Sequence, residues 1–343
     1  MSPTSIVLRI GQAIVVIWAT FTVAFILLTA LPGDAVASRY DNPNLGLTPE
    51  QLATIREVYG ADEPLVNRYM NALGGFITGD FGFSVATGAP VADMLADALP
   101  STLALALLAF LFGVVLAFVI AIAATFGPLV WLRGFFRGLP SVMVSAPTFW
   151  VGIILIQVFS FALGWVPVIG ASTAQGLVLP VITLGLFVSA SLAQVLMRSI
   201  DEVMDMSFVQ VVRAKGASEA WLLWRNVLRN AILPALTMAG LTFGELVGGS
   251  VVTEAVFARH GIGALTVDAV ANRDTSVLLA IVVLAAAIFV LINLVVDLLY
   301  PVLDVRLRDR DKGSATSAAT SHATHHVGVQ HAARKADEKK AQA

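Results

Sequence analysis

Six long stretches of the chain are almost free of charge, and the polar residues gather between them. The stretches cover residues 10–31, 101–125, 139–163, 177–197, 232–257 and 277–300. Each reaches the roughly 20 residues that a helix needs to cross about 30 Å of hydrocarbon. Lipid offers no partner to backbone N–H and C=O groups, so such runs are predicted to be helices. The pattern predicts an all-α membrane protein with six transmembrane helices. Pro140, Pro147 and Pro180 fall within the third and fourth runs and predict kinks. The first run has a rival reading as a secretory signal, with Ala35-Val36-Ala37 as its cleavage site. Its length of 22 residues exceeds the roughly 7–15 of such signals, so a retained helix is expected.

The segment 32–100 is too long for a connector. Thr48-Pro49-Glu50-Gln51 has the form of a helix start, with Thr48 as N-cap and Gln51 as its capping-box partner. Leu52, Ile55 and Tyr59 continue at helical spacing, as do Tyr69, Leu73 and Phe76, until Gly74, Gly75, Gly79 and Gly82 interrupt the pattern. A small helical subdomain is predicted, either a plug over a pore mouth or a docking surface for a partner.

Composition agrees with this layout. Hydrophobic residues make up 57% and charged residues 13%, against about 25% charged in an average soluble domain. The net charge of -2 selects no nucleic-acid partner, and the absence of cysteine excludes disulfides and thiol chemistry. Basic residues mark the sides of the membrane. Arg133 and Arg137 lie between the second and third runs. Arg198, Arg213, Lys215, Arg225 and Arg229 lie between the fourth and fifth, and Arg306, Arg308, Arg310 and Lys312 follow the sixth. The segment 32–100 is acidic instead. The positive-inside rule then places both termini in the cytoplasm and 32–100 outside. The tail from Gly313 lacks large apolar residues and is expected to be disordered. Its His322, His325, His326 and His331 could bind a metal, but a His-bearing tail without fixed geometry is read simply as a tail.

The polar loop 198–233 carries the most specific signal. Residues 206–215 have helical composition. Gly216 suits the left-handed position that ends a helix, Ser218 the N-cap of the next, and Glu219 its first turn. The reading is helix, tight turn, helix, with Trp221, Leu222, Trp224 and Val227 on the second helix and the small Ala217 at the turn. A DNA-binding helix-turn-helix is rejected, because the loop is tethered between spans and carries Glu202, Asp205 and Glu219 among its basic residues. An interfacial helix pair anchored in lipid head groups and a coupling element for a cytoplasmic motor both remain open.

The loop resembles the cytoplasmic loop of ATP-binding-cassette importer permeases, specifically the B-type subunit of the dipeptide/oligopeptide/nickel branch. Arg213-Ala214-Lys215-Gly216-Ala217 is similar to that branch's R-A-K-G element, and Leu228-Arg229-Asn230-Ala231-Ile232-Leu233-Pro234 to its L-R-N-A-L-L-P. The resemblance extends to Leu31-Pro32-Gly33-Asp34, Gly79-Asp80-Phe81-Gly82-Phe83-Ser84, Leu99-Pro100-Ser101-Thr102-Leu103, Glu254-Ala255-Val256-Phe257 with Gly261-Ile262-Gly263, and Asn293 to Tyr300 with Leu303-Asp304. Departures are Leu228-Arg229 where the broader family has Leu-Pro, His260 where Pro often stands, and Val305 after Leu303-Asp304.

The resemblance implies a type I importer permease fold: a cytoplasmic start and first span (1–31), the extracytoplasmic subdomain (32–100), a core (101–300) with its coupling loop (198–233), and a cytoplasmic tail (301–343). It implies a multi-pass protein of the bacterial inner membrane, forming half of a pore with a second homologous permease. Two ATPase subunits would grip Arg213, Ala214, Lys215, Gly216, Ala217, Ser218 and Glu219, and an extracytoplasmic binding protein would deliver di- or oligopeptides. Glutathione, haem or nickel are alternative cargoes on the same scaffold. ATP and Mg would sit on the partners, since no G-x-x-x-x-G-K-[ST] phosphate loop occurs here and no cofactor is expected on this chain. No set of catalytic or metal-ligating residues appears, so an enzyme is not expected. A secondary transporter is the rival class, but no convincing internal repeat is evident and the loop 198–233 would be left unexplained.

Three acidic residues fall in or near the apolar runs: Glu245, Glu254 and Asp297. A charge facing lipid is costly, so each is expected to face protein or water. Glu245, Gly248, Gly249 and Glu254 are the candidates for a translocation path. A structural hydrogen bond is the alternative for Glu245; Glu254, near the outer end of its run, is read as a gate or a cap; and a structural role is favoured for Asp297, which shares a helical face with Asn293.

Overall fold

The computed structural model describes residues 3–30, 40, 47–60, 62–167 and 174–303. Leu31-Pro32-Gly33-Asp34, Asp304 and the His-containing tail lie outside the described residues. In chain order the helices are α1 (Pro3–Ala30), α2 (Pro49–Val58), α3 (Leu65–Thr78), α4 (Val91–Phe126), α5 (Val130–Ser145) and α6 (Thr148–Leu155), which continues as a π-helical stretch, Ile156–Ala162. Then come α7 (Gln175–Met204), α8 (Ser207–Ala214) and α9 (Glu219–Leu222), which runs through π-helical Leu223–Val227 into α10 (Leu228–Gly249). The series ends with α11 (Val251–Val256), α12 (Ile262–Ala271) and α13 (Thr275–Leu303). Residues 12–293 form one compact unit; residues 1–11 and 294–343 form another, of which the described parts are the first turns of α1 and the last of α13.

Among the described residues five helical segments are long and apolar enough to cross a membrane: Val7–Ala30, Val91–Phe126, Gln175–Met204, Glu219–Leu246 and Thr275–Val296. A sixth span exists only if α5 and the helix of 148–162 are counted together, and these meet at 101°. The apolar run 139–163 predicts one kinked helix, whereas the structure has two, the first starting at Val130. Pro147 explains the break: its ring bars the preceding residue from helical geometry, and Ala146 is extended at ψ 131°. Pro140 and Pro180 lie inside α5 and α7 without ending them. The boundary expected at Pro100 also shifts, because α4 starts at Val91 and runs through that proline for 36 residues.

The centre of the larger unit is the pairing of α4 with α7. Along α4, Ala109, Gly113, Ala117 and Ala121 recur every fourth residue, all buried on one face. Ala109 and Ala117 cluster with Leu184, Val188, Leu192 and Ala193 of α7, and Ala121 with Leu196, Met197 and Ile200 further along it. A Cβ on Gly113 would lie 2.6 Å from Val188 Cγ1 and 2.9 Å from the Gly185 carbonyl. Small residues thus set the spacing, as membrane helices require when apolar burial gives no net drive between them. The other face of α4 exposes Leu107, Leu111, Val115 and Val119, a surface suited to lipid.

The segment before α4 folds as helices around an acidic anchor. Thr48 and Gln51 form the expected capping box at α2, with Gln51 N–H donating to Thr48 Oγ1 at 3.3 Å and Thr48 N–H to Gln51 Oε1 at 2.9 Å. Tyr69 and Phe76 of α3 pack edge-on against Phe21 and Phe25 of α1, at centroid distances of 5.1–5.6 Å. Asp274, 1% exposed, caps α13 through the Val277 N–H at 3.3 Å. Its other oxygen accepts from Ser84 Oγ at 2.5 Å and from the Ala86 N–H at 3.2 Å. One buried carboxylate therefore ties the Gly79–Ser84 motif to the start of the last span. Tyr59 donates to the Ser84 carbonyl at 3.1 Å. Burial, and then the Tyr40 hydroxyl, push its pKa up to about 12, so it stays a donor at neutral pH.

Asp274→Ala leaves three donors without their acceptor. Hydrogen bonds to charged groups contribute about 1.5–3 kcal/mol each, not additively, so the expected destabilisation is about 3 kcal/mol. In detergent, limited trypsin digestion should cut faster at Arg56 and Arg68 in this variant, and unchanged cutting rates would refute the anchor.

Candidate functional site

The turn between α8 and α9 is built as its residues suggest. Gly216 has φ +83°, a left-handed conformation that costs other residues about 1–2 kcal/mol. Its N–H reaches the Arg213 carbonyl at 2.9 Å. Ser218 then caps α9, accepting from the Trp221 N–H at 3.3 Å. Across the turn the Arg213 guanidinium grips Glu219 with two bonds, Nε to Oε1 at 2.9 Å and Nη2 to Oε2 at 3.0 Å. Both side chains are substantially exposed, so the pair sets geometry more than stability. Ala214, Lys215, Gly216, Ser218 and Glu219 are exposed and Ala217 is half-buried, so the seven loop residues form one continuous surface.

This surface stands on the α4–α7 pair. Val209 of α8 and Leu222, Leu223, Val227 and Leu228 beyond the turn are buried against Ala121, Ala124, Leu196, Ile200 and Val203. Trp221 and Trp224 remain about half exposed or more. Arg137 adds a tie at the same end, donating to both Asp201 oxygens at 2.9 and 3.1 Å and to the Ala124 carbonyl at 3.4 Å. The turn is thus joined to two spans through packed side chains.

The four residues marked for a path divide into two sets. Glu245, Gly248 and Gly249 share an exposed face of α10 with Leu241, and Val252 of α11 extends it. The opposite face is packed: Thr242 and Leu246 are buried, and a Cβ on Gly244 would lie 2.6 Å from the Phe289 ring. Glu245 makes no hydrogen bond or ion pair among the described residues. It falls mid-way along the apolar run, where an acidic side chain facing lipid costs about 2.5–3.5 kcal/mol.

Glu254 does not share that face. It is fully buried, with Oε2 accepting from the Gly263 N–H at 2.7 Å and Oε1 from Ser250 Oγ at 3.2 Å. It thus serves as a structural acceptor that pins α11 to the start of α12. The physical reason is the glycine pair. A Cβ on Gly261 would lie 2.7 Å from Glu254 Cδ and from Thr102 Oγ1, and one on Gly263 2.8 Å from Glu254 Oε2. Thr102 accepts from the Ile262 N–H at 2.8 Å, and Arg259 donates to Ser101 Oγ at 3.0 Å and to the Gly176 carbonyl at 3.2 Å. Burial lowers the Arg259 pKa and the Glu254 charge opposes that shift. Thr102, Arg259 and Asp274 are not singled out by the sequence. Their partners lie up to 190 residues away, although Ser84 and Thr102 stand within motifs of the branch. Among the described residues no three His, Asp or Glu side chains converge to hold a metal. The side chain of Asp297 lies outside the described residues, while Asn293 donates to the Phe289 carbonyl at 2.8 Å.

Known proteins resemble this chain in sequence and in fold. Residues 113–309 match the family described as the inner membrane component of binding-protein-dependent transport systems, and residues 4–106 match the N-terminal domain of such components. The chain belongs to this family. It is an ABC importer permease. Its relatives include the glutathione transport system permease protein GsiC of Escherichia coli K12 and that of Shigella dysenteriae, each 35% identical over 303 residues, covering 88% of this chain and 98% of the relative. Two inward-facing structures of the MetNI methionine ABC transporter resemble the permease in fold, at 19% and 18% identity with TM-scores of 0.53 and 0.52. Each match covers 62% of the permease and 96% of the MetNI chain.

In the permease, Gly261→Ala forces the Glu254 carboxylate out of its cradle and should lower the detergent melting temperature by several degrees. Gly134→Ala, placed in open space on α5, should raise it slightly, since alanine is favoured over glycine in a helix by up to about 1 kcal/mol. Equal melting of both variants would contradict the cradle.

Proposed function

We propose that this permease forms half of the pore of an ATP-driven importer for di- and oligopeptides. A second homologous permease completes the pore, two ATP-binding-cassette subunits hold the loops 198–233, and an extracytoplasmic protein delivers the substrate. ATP and Mg act on the ATPase subunits, and no cofactor belongs to this chain. Both termini face the cytoplasm of the bacterial cell and the segment 32–100 faces outward, as the basic residues at the loop end of α4 and α7 favour.

The observation that carries this reading is the Gly216 turn: a rigid, exposed knuckle, clamped by Arg213 and Glu219 and seated on the two central spans. A motor that closes on ATP can push such a knuckle and tilt the spans beneath it. The exposed face of α10 lines the resulting path. Peptide cargo is supported by the branch resemblance and by the GsiC relatives, whose named cargo, glutathione, is itself a tripeptide. Glutathione is the second reading on the same observation. A secondary transporter would leave the turn without a use, and uptake driven by an ion gradient without ATPase partners would favour that class.

Gly216→Pro imposes a negative φ where +83° is needed and removes the N–H bound to Arg213. The variant should still insert in the membrane and assemble, while ATP-dependent peptide uptake by proteoliposomes falls at least tenfold. Normal uptake would sink the coupling role. A crosslink from Ala217→Cys to the ATPase subunit in the working complex provides an independent check.

A further inference from the structure

The exposed α10 face holds an unanswered charge. Residues 230–257 contain one exposed acid, Glu245, and no Lys, Arg or His. The other central spans, 101–126, 177–197 and 275–303, are equally free of basic residues. These spans therefore have no cation to offer Glu245, and a cation that meets it comes from outside them.

The glycines one turn on sharpen the point. At Gly244, Gly261 and Gly263 a Cβ would collide with neighbouring atoms, so packing requires glycine there. At Gly248 and Gly249 a Cβ would meet nothing within 4 Å. Neither has the positive φ that would require glycine. The fold places no demand for glycine at these two positions. What their bareness does is leave room beside Glu245, in a wall whose other exposed members, Leu241 and Val252, are apolar.

We infer that Glu245, with the space over Gly248 and Gly249, is a subsite of the translocation path that takes the ammonium group of a passing peptide. A carboxylate in an apolar wall attracts a cation more strongly than it would in water and repels the peptide's own carboxylate, so the subsite also orients the chain. The occupant is matched by charge: every peptide with a free amino terminus carries one cation, and the main chain behind it fits over bare glycine. This inference rests on the peptide-importer reading and adds a recognition element within the path.

The absence of cysteine makes a direct test available, because Glu245→Cys places a unique thiol in this subunit. In proteoliposomes holding the complete importer, a membrane-impermeant thiol reagent should label the Glu245→Cys variant. The Val115→Cys variant, altered on the apolar outer face of α4, should stay unlabelled. Trialanine should slow the labelling at position 245. In uptake assays Glu245→Gln should reduce trialanine transport about tenfold, the scale of a lost charge-assisted bond. The same change should erase preference for trialanine over N-acetyl-trialanine, and Glu245→Asp should restore transport to within about threefold. Gly248→Leu should block uptake while leaving the melting temperature unchanged.

A Glu245→Cys variant that resists labelling would place Glu245 against another subunit and overturn the subsite. So would full labelling combined with unaltered trialanine uptake by Glu245→Gln. If the thiol at position 245 labels normally yet the wild-type complex imports neither trialanine nor glutathione, the peptide reading and the subsite fall together, and the missing wild-type uptake distinguishes that result.

Discussion

The close approach of α4 and α7 is the constraint on which the larger unit depends. Two apolar helices in lipid gain little from burying more apolar surface, so they must gain from contact at short range. Ala109, Gly113, Ala117 and Ala121 provide that contact by presenting almost no side chain, and Gly185 does the same from the opposite helix. The seam ends at Ala121 and Ala124, where the hydrophobic residues of α8, α9 and the π-helical turn settle onto the pair. Had the seam been filled with leucine, the helices would stand further apart and the exposed turn at Gly216 would lose its footing. The loop is therefore mechanically continuous with the centre of the unit, a necessary property of any element through which an external motor acts.

At the other end the constraint is polar. Glu254 and Asp274 are buried carboxylates held by hydroxyl and backbone N–H donors rather than by direct ion pairs. Backbone donors are fixed in direction, so each acid specifies one arrangement of the segments that supply them. Glu254 joins α11 to α12 and lies beside Thr102 of α4; Asp274 joins the small helical segment to α13. Burying charge in this way stabilises less than good packing does, but misplacing either segment would leave the charge without donors, which is far more costly. Two residues in the left-handed region share this end, Ala258 at φ +47° and Arg273 at φ +54°, each followed by an N–H that reaches back five residues, to Glu254 and Ala269 respectively. Their strain is offset by the hydrogen bonds that the reversal makes possible.

Much of this is readable in the sequence where the physics is local. The apolar runs announce spans because lipid leaves the backbone no other conformation. Thr48 and Gln51 announce a helix start because each can reach only the other's N–H. Gly216 followed by Ser218 announces a stop and a restart because left-handed geometry and capping involve neighbours in sequence. The third span departs from expectation because hydropathy reports how apolar a stretch is and not where it bends. Among the four prolines in apolar runs, Pro140, Pro147, Pro180 and Pro234, only Pro147 breaks its helix. The role of Glu254 departs for a similar reason, since an acid near a span end reads alike whether it faces a path or a cluster of backbone donors.

The amino-acid order by itself determined that apolar helices belong in the membrane, where the chain turns between α8 and α9, and which family the protein belongs to, because each rests on residues close together or on motifs in series. Only the tertiary structure decided which acids are used up inside the protein and which remains open. That distinction depends on donors contributed from 3 to 190 positions away, and on whether the space beside a glycine is filled or empty. Glu245 and Glu254 are nine residues apart and chemically identical. One is enclosed by Ser250 and Gly263 while the other looks out beside Gly248 and Gly249, and only the packing of distant helices makes them different.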